Sequence, residues 1–312
     1  MGISRRDFGS LALGSLAGFT VSGEAAAQTF AGATDCHVHI IGPRDKYPMV
    51  ANRPYTPPEA SVAQLKAMHG RLGISRTVLV QPSFYGTDNS CMLDAMAQLG
   101  PNARGVAVVA PNASEQSLRD LDAKGVRGIR INLESTGNRD PKAAAALLKG
   151  YAQKVAPLNW HIQVYTVAPV IAQLVQPLAD MTVPVVIDHF GMPNAAEGFG
   201  SKGFGALFDL VRARKVYVKL SAPYRISKLA DYKDTTSIAQ TLIYAARDRM
   251  LWGTDWPHTN SIPGRPATEV TPFSKIDDPA LLRLFNSYYP DETTRKMILV
   301  DNPAKLYRFA TA

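Results

Sequence analysis

The sequence is poor in cysteine and has no concentrated block of charge. Its two cysteines, Cys36 and Cys91, exclude the multiple-disulfide framework of a small secreted domain. The 34 Lys and Arg residues against 26 Asp and Glu residues give a formal net charge of +8, but no run of five like charges occurs. No nucleic-acid partner is therefore expected. The excess of positive charge fits either a small anionic substrate or an ordinary solvated basic surface.

No apolar run is long enough to form a permanent membrane-spanning helix. The nearest candidate, residues 10–21, is short and rich in Gly and Ser. It follows Ser4-Arg5-Arg6-Asp7-Phe8-Gly9, which has the form of a twin-arginine signal, and precedes the small-residue cleavage site Ala25-Ala26-Ala27. We therefore predict a signal peptide over residues 1–27, a mature domain over residues 28–312 and a periplasmic location reached by twin-arginine export. No membrane contact is expected after cleavage.

The length and the apolar pattern together favour one large α/β domain. At 312 residues with 46% hydrophobic content, the chain suits two average domains or a single barrel. Eight short apolar runs alternate with segments of helical periodicity, and such continuous runs are typical of parallel strands buried on both faces. We predict a (β/α)8 TIM barrel with strands near residues 35–40, 76–81, 105–109, 126–131, 161–165, 183–188, 215–220 and 250–253.

The first predicted strand carries two histidines separated by one residue. Side chains alternate between the two faces of a strand, so His37 and His39 should point into the barrel while Cys36, Val38 and Ile40 face away. A pair of hydrogen-bonded core histidines is the alternative interpretation. Functional use is favoured because other histidines and acids also end predicted strands.

Polar side chains lie at or just beyond the carboxyl ends of the predicted strands, where TIM barrels hold their active sites. They are Ser83, Arg130, Tyr165, His189, Arg225 and Asp255, with Tyr55 in the long loop that follows the first strand. His161 instead begins its strand, so it is predicted to lie at the opposite face and to serve stability.

Several segments resemble the amidohydrolase superfamily, and within it the group of 2-pyrone-4,6-dicarboxylate lactonases and 4-sulfomuconolactone hydrolases. The resemblance covers nearly all of the mature chain, and its most specific motif is Trp252-Gly253-Thr254-Asp255-Trp256-Pro257-His258. The other matching segments are Asp35-Cys36-His37-Val38-His39, Gly86-Thr87-Asp88-Asn89, Arg127-Gly128-Ile129-Arg130-Ile131-Asn132, Ile187-Asp188-His189-Phe190-Gly191 and Asn302-Pro303-Ala304-Lys305-Leu306-Tyr307.

The resemblance implies a hydrolase that opens an anionic unsaturated lactone, of the 4-sulfomuconolactone, muconolactone or pyrone kind, by attack of water on the lactone carbonyl. Asp255 is the expected general base, with a pKa raised by partial desolvation. His37, His39 and His189 are expected to polarise the carbonyl. The expected substrate-binding residues are Arg130, Arg225, Tyr165, Tyr55, Ser83 and His258. Loop packing for Tyr55, a turn hydroxyl for Ser83 and a surface ion pair for Arg225 are the alternatives.

Two departures from the family pattern bear on the substrate. Pyrone lactonases hold their doubly carboxylated substrate with arginines at two positions where this chain has Met192 and Thr136. Each charge-assisted hydrogen bond contributes roughly 1.5–3 kcal/mol, so the loss of two such clamps argues against the pyrone dicarboxylate itself. A lactone with fewer carboxylates, or with a different anion, is expected.

The same side chains are also ligand types for a divalent metal such as zinc. If a metal is present, its ligands would be His37, His39, His189 and Asp255. A middle-strand ligand is missing, because the fifth predicted strand ends in Gln163 and Tyr165 without a His or Lys. Following the resemblance to pyrone lactonases, no metal or other cofactor is favoured.

Two other functions stay open. Relatives in the same group act on sugar-acid lactones, so a galactarolactone-like isomerase or lactonase is the alternative, with hydroxyl contacts from the loops at residues 135–138 and 259–261. A non-catalytic periplasmic solute-binding barrel is the third interpretation, although the retained histidines and Asp255 argue against it. A monomer or small homo-oligomer that binds a small anionic lactone is expected.

Overall fold

The computed structural model describes residues 29–134 and 140–310. The predicted signal peptide and Thr136 lie outside these described residues. Eight strands are found in them, namely β1 Thr34–Val38, β2 Arg76–Val80, β3 Ala103–Ala107, β4 Val126–Asn132, β5 His161–Tyr165, β6 Val185–Ile187, β7 Val216–Ser221 and β8 Met250–Gly253. The α-helices described are α1 Val62–Leu72, α2 Ser90–Leu99, α3 Glu115–Ala123, α4 Pro141–Val155, α5 Ala168–Gln173, α6 Val175–Ala179, α7 Phe204–Arg212, α8 Thr235–Ala246, α9 Asp278–Tyr288, α10 Glu292–Lys296 and α11 Asn302–Tyr307.

The strands form one parallel sheet in the order β1 to β8, which closes on itself. At the closure, the His39 backbone nitrogen donates to Trp256 O at 2.8 Å, and the Asp255 nitrogen donates to His37 O at 2.9 Å. Gly253 permits this approach, because a Cβ at that position would lie 2.8 Å from the His37 nitrogen. The predicted TIM barrel is confirmed, so its carboxyl-terminal loops all meet at one end.

The helix ends follow local chemistry, as α1 illustrates. Ser61 and Gln64 form a capping box, in which each side chain satisfies a backbone nitrogen of the other residue. Gly73 ends the helix in the left-handed region that glycine adopts without strain. The apolar face carrying Leu65 and Leu72 is buried. None of the helices in the described ranges is long and apolar enough to cross a bilayer.

The first strand departs from the alternation predicted for it. Its pairing with β2 shifts register between Asp35 and Val38, and Cys36 joins the apolar cluster inside the barrel. Asp35 accepts hydrogen bonds from the Thr254 hydroxyl at 2.6 Å and from the His37 nitrogen at 3.1 Å. The prediction that Cys36 faces away from the histidines is therefore wrong, because the irregular strand brings Cys36 and His37 inside together.

The last described residues close the amino-terminal end of the barrel. Tyr307 and Phe309 complete the interior cluster that valines of β2, β3 and β6 begin. Arg76 donates to Ala310 O at 2.6 Å, and Arg104 donates to Tyr307 O at 3.1 Å. The two guanidinium carbons also lie 5.4 and 4.6 Å from the centre of the Phe309 ring. These contacts fasten the C-terminal segment across the barrel.

His161 lies at this closed end, as its position at the start of β5 predicts. Its buried ring meets the edge of Tyr307 with ring centres 5.1 Å apart. Gly128 on β4 leaves the space for it, since a Cβ there would overlap the imidazole. Burial lowers the pKa of His161 to about 3, so the ring is neutral and belongs to the apolar packing.

Candidate active site

A cavity of about 340 Å³ opens at the carboxyl-terminal end of the barrel. The predicted site residues that line it are His39, Tyr55, Ser83, Arg130, Tyr165, His189, Arg225 and Asp255. The other lining residues are Pro54, Pro82, Asn132, Glu134, Thr259, Asn260 and Ser261. Residues far apart in sequence therefore converge on one space, as the parallel barrel requires.

The two carboxylate oxygens of Asp255 have different surroundings. Oδ2 accepts from Tyr224 Oη at 2.6 Å and from Arg225 Nε at 2.8 Å, and Arg225 Nη2 also lies 2.8 Å away. Oδ1 faces the Nε2 atoms of three imidazoles, His37 at 3.5 Å, His189 at 3.8 Å and His39 at 3.9 Å. Oδ2 is thus held by the protein, and Oδ1 is the oxygen available for chemistry.

Asp255 is ionised over the whole ordinary pH range. Burial raises the pKa of its carboxyl, but the permanent charge of Arg225 and the nearby imidazoles outweigh burial and hold the pKa well below its usual range. The expectation of a raised pKa is therefore wrong, because it considered desolvation without the arginine that contacts Oδ2. Such a carboxylate is a weak base. Its fixed placement in the site must therefore compensate for its low proton affinity if it is to act as a general base.

The tautomer of His39 is fixed by its backbone partner. Nδ1 lies 2.7 Å from Val80 O, and a carbonyl can only accept, so Nδ1 carries the hydrogen. Burial lowers the pKa of His39 to about 4, so near neutral pH the ring has a lone pair on Nε2. His39 therefore cannot donate to a lactone carbonyl, and that part of the predicted role is corrected.

His189 has a more permissive partner. Its Nδ1 lies 2.9 Å from the Ser221 hydroxyl, which can donate or accept. Burial lowers the pKa of His189 to about 4, so this ring is also neutral near pH 7. When Ser221 donates to Nδ1, Nε2 carries the hydrogen and can donate into the cavity.

His37 lies beneath the cavity floor and rests on a buried ion pair. Its Nδ1 is 3.4 Å from both Asp188 Oδ1 and Lys219 Nζ. Asp188 also accepts from Gln163 Nε2 at 3.0 Å, and Gln163 Oε1 accepts from Lys219 at 2.7 Å. Burial raises the pKa of Asp188, but Lys219 outweighs it and keeps the carboxyl ionised. His37 Nδ1 therefore faces one group that only accepts and one that only donates, because Asp188 favours a hydrogen on Nδ1 whereas Lys219 favours a lone pair there.

The donor set fits a divalent cation. Ligand atoms of His37, His189 and Asp255 all lie within 4.8 Å of one another. The lone pair of His39 points toward the same carboxylate oxygen, and His37 Nε2 makes no hydrogen bond among the described residues. Nitrogen lone pairs and a carboxylate oxygen directed at one point are the arrangement that zinc prefers.

His258 does not contact the cavity, contrary to its predicted role in substrate binding. Its Nε2 lies 3.0 Å from Asp278 Oδ1 and its Nδ1 lies 3.3 Å from Tyr224 Oη, so both ring nitrogens have protein partners. Arg225 lines the cavity, but its guanidinium contacts Asp255 and also donates to Thr259 O at 3.2 Å. Its predicted role as an anion clamp is thus largely replaced by a role in holding Asp255.

Arg130 is a second cation that lines the cavity. Its guanidinium lies over the Tyr165 ring at 5.4 Å, and its Nε is 3.6 Å from Asp188 Oδ2 without a hydrogen-bond partner in the described residues. Across the cavity, Tyr55 donates to the Thr259 hydroxyl at 3.0 Å. Arg130 is therefore the described side chain placed best to meet an anionic substituent.

The specificity argument built on Met192 is not supported. Met192 packs against the main apolar cluster and does not line the cavity, so its side chain is not a substitute for an anion clamp. Thr136, the second position of that argument, lies outside the described residues.

Several residues of the site were missed at the sequence level, among them Asp188 as an ion-pair partner, Lys219, Ser221, Tyr224 and Glu134. A signal did exist for one of them. Lys219 interrupts the apolar run of β7, and it shares a strand face with Ser221, two residues on. A charged residue inside a buried strand calls for a buried partner of opposite charge.

Comparisons with known proteins identify a matching family and similar proteins of known structure. The sequence model of the amidohydrolase family matches residues 34–309. A 2-pyrone-4,6-dicarboxylate hydrolase from Comamonas testosteroni is 34% identical over 288 residues, which cover 89% of this chain and 90% of that protein. A 4-sulfomuconolactone hydrolase from Hydrogenophaga intermedia is 33% identical over 280 residues, 88% of each chain. The crystal structure of a probable 2-pyrone-4,6-dicarboxylic acid hydrolase from Acinetobacter baumannii, with citric acid bound, superposes with a TM-score of 0.76 at 26% identity, covering 89% of this chain and 100% of that one.

Proposed function

The chain belongs to the amidohydrolase family, and from that premise we propose that it is a lactonase that opens an anionic unsaturated lactone by attack of water on the ring carbonyl. Relatives that match almost its whole length hydrolyse lactones of this kind by name. The observation that carries the proposal is Asp255, whose Oδ1 is left for chemistry on the cavity floor while Oδ2 is fully engaged.

In the proposed reaction, Asp255 Oδ1 orients a water molecule below the lactone carbonyl and accepts its proton as the carbon–oxygen bond forms. Arg130 and the Nε2–H of His189 face the carbonyl oxygen and stabilise the negative charge of the tetrahedral intermediate. The ring carbon–oxygen bond then breaks, and the proton passes from Asp255 to the departing ring oxygen. Asp255 ends ionised, and the product is an open-chain hydroxy acid or its keto tautomer.

A bound cation is compatible with this site. His37, His189 and Asp255, with His39 beside them, would hold it, and it would polarise the carbonyl and lower the pKa of a nearby water. In its absence the residues retain a donor, because Ser221 can place the hydrogen of His189 on Nε2. We therefore keep metal-independent hydrolysis as the proposal and treat the cation as a test of it.

The preferred substrate in this proposal carries one dominant anionic group. Arg130 faces the cavity, whereas Arg225 is already neutralised by Asp255, and Glu134 adds an acidic group to the lining. A sulfonate or a single carboxylate next to a planar unsaturated ring would be held by Arg130 and would stack on Tyr165. Because Met192 no longer argues against it, the pyrone dicarboxylate belongs in the substrate panel.

A second candidate follows from the opposite rim of the cavity. Thr259, Asn260 and Ser261 line it with neutral polar groups that suit a hydroxylated ring. A sugar-acid lactone would be recognised by such groups, and its hydrolysis or isomerisation would use the same Asp255. Parallel assays with unsaturated and hydroxylated lactones separate the two candidates.

The test of the proposal is the Asp255→Asn variant, because asparagine still offers an oxygen to Tyr224 and Arg225 but cannot take a proton. We expect kcat for the preferred lactone to fall by about 10²–10⁴-fold with KM little changed. Asp231→Asn, an exposed aspartate paired with Lys233, is the matched control and should behave as wild type. Turnover by Asp255→Asn within about tenfold of wild type would remove Asp255 from the reaction.

We further propose that the mature protein acts in the periplasm after twin-arginine export. The support is the Ser4-Arg5-Arg6-Asp7-Phe8-Gly9 motif and the small residues before position 28. Replacement of Arg5 and Arg6 by lysine should retain the uncleaved protein in the cytoplasm. Normal export and cleavage of that variant would refute the proposal.

A further inference from the structure

A chain of side chains extends from Asp255 away from the cavity. Tyr224 donates its hydroxyl hydrogen to Asp255 Oδ2 at 2.6 Å, and His258 Nδ1 lies 3.3 Å from the same tyrosine oxygen. His258 Nε2 lies 3.0 Å from Asp278 Oδ1, and because a carboxylate only accepts, that nitrogen carries a hydrogen. Asp278 is the first residue of α9, so the chain joins the cavity floor to an outer helix.

The members of this chain are shielded and geometrically constrained. His258 and Asp278 are 4% and 8% exposed, too little for water to replace their mutual contact. Asp255 and His258 both have left-handed backbones, with φ of 67° and 64°, which a non-glycine residue adopts only when its surroundings hold it there. The same turn thus directs the Asp255 carboxylate inward and the His258 ring outward.

Of these linked side chains, only Asp255 touches the cavity. Tyr224, His258 and Asp278 are absent from the lining residues, so they cannot select a substrate directly. What they contact is the oxygen of Asp255 that faces away from the histidines. Of the donors on Oδ2, the tyrosine hydroxyl is the closest, and its one hydrogen is used there. The His258 imidazole behind it orients the Tyr224 ring by edge-to-face packing, with ring centres 5.6 Å apart.

We propose that Tyr224, His258 and Asp278 form a positioning chain that acts with Arg225 to fix the rotation of the Asp255 carboxylate, so that Oδ1 alone faces the reacting water. Tyr224 holds Oδ2 directly, His258 orients Tyr224, and Asp278 orients His258. The short spacing from Asp255 to His258 explains how both residues reach Tyr224, since one turn carries them both. This inference rests on the proposed role of Asp255 as the base.

The kinetic test compares Tyr224→Phe, Asp278→Asn and the double variant with wild type, using the lactone that wild type turns over best. Loss of a hydrogen bond to a charged oxygen should lower kcat of Tyr224→Phe by about 10- to 100-fold, with KM within about twofold. Asp278→Asn should lower kcat less, because Asp278 acts on Asp255 only through His258 and Tyr224. The double variant should match Tyr224→Phe, since Asp278 has no other route to Asp255.

Asp277→Asn is the matched control, because Asp277 caps the same helix by accepting from the Ala280 nitrogen but does not contact His258. It tests whether a disturbed start of α9 is sufficient to change kcat, and it should leave kcat unchanged. The positioning chain is refuted if Tyr224→Phe keeps wild-type kcat. It is also refuted if the double variant loses the product of the two single losses, or if Asp277→Asn matches Asp278→Asn.

A crystal structure of Tyr224→Phe decides the inference without substrate. The Asp255 carboxylate should be turned about its Cβ–Cγ bond relative to the wild-type crystal structure, and an unturned carboxylate overturns the proposal. If the wild-type protein hydrolyses no lactone, the proposed function fails, while the carboxylate orientation in this pair of structures still tests the chain.

Discussion

The buried lysine beneath the cavity offers a sharp test of what holds the floor of the site in place. Lys219 and Asp188 are both fully buried, with Nζ and Oδ1 3.5 Å apart. At an effective dielectric constant of about 20, two unit charges at that separation attract by roughly 5 kcal/mol. Lys219→Met removes the cation but fills a similar volume, so the main loss is electrostatic.

Part of that loss is compensated by a second cation. Arg130 Nε lies 3.6 Å from Asp188 Oδ2, and Gln163 continues to donate to the same oxygen. Breaking a buried ion pair typically costs about 3–5 kcal/mol, and we expect the lower end, about 3 kcal/mol of unfolding free energy. For a domain of this size, the melting temperature should fall by roughly 5 °C.

Urea unfolding and thermal melting of the mature protein measure this change, with two comparison variants. Lys219→Met combined with Asp188→Asn removes both charges and should recover most of the stability, because no buried charge is then left unpaired. Lys233→Met removes the cation of an exposed pair with Asp231 and should leave the midpoint unchanged. If Lys219→Met is as stable as Lys233→Met, the buried pair contributes nothing and the reasoning is wrong.

Three further predictions concern the closed end of the barrel and the metal. Gly128→Ala should cost about 1–3 kcal/mol in urea unfolding, because the added methyl overlaps the His161 ring, whereas Gly150→Ala in the open face of α4 should be neutral or stabilising. His161, with a native pKa of about 3 against 6.5 unfolded, binds more protons in the unfolded chain, so its contribution to stability falls as the pH drops below 6.5. His161→Phe should therefore lose about 2 kcal/mol less than wild type between pH 7 and pH 5 in urea unfolding, and an equal loss in both proteins would contradict the assignment. Lactone turnover should survive chelator treatment. In calorimetry the chelator-treated wild-type protein should still bind zinc, whereas the His37→Gln variant should not. Turnover that vanishes with chelator and returns with zinc would show that the cation is required.

The barrel and most of the cavity lining were predictable from the sequence because both follow from local periodicity. Short apolar runs of strand length occur eight times, most of them ending at or just before a polar residue, and parallel closure brings those ends together. The predicted bounds of β2, β5 and β8 agree with the structure within about one residue. Arg130, Tyr165 and His189 were therefore placed by strand position alone.

What failed depends on contacts between distant segments. The irregularity of β1 arises where it meets β2 and the chain that leaves β8, so strict alternation could not place Cys36. The pKa of Asp255 depends on Arg225, thirty residues earlier, whose guanidinium folds back onto Oδ2. His258 has a partner on α9, and its left-handed backbone directs the ring there, which no short motif indicates.

Tyr307 and Phe309 cover the amino-terminal end of the barrel interior, and this has a consequence for folding during synthesis. The interior valines of β2, β3 and β6 are synthesised early, yet the side chains that cover them at the amino-terminal end belong to residues some hundred or more positions later. A nascent chain on the ribosome therefore cannot bury this surface until Phe309 has left the exit tunnel. Until then, the interior stays accessible to water and to chaperones, and the closing step joins the most distant parts of the chain. A ribosome-bound chain that stops before Tyr307 should consequently remain sensitive to proteases, whereas a chain that includes Phe309 and a following linker long enough to clear the tunnel should become resistant in a single step.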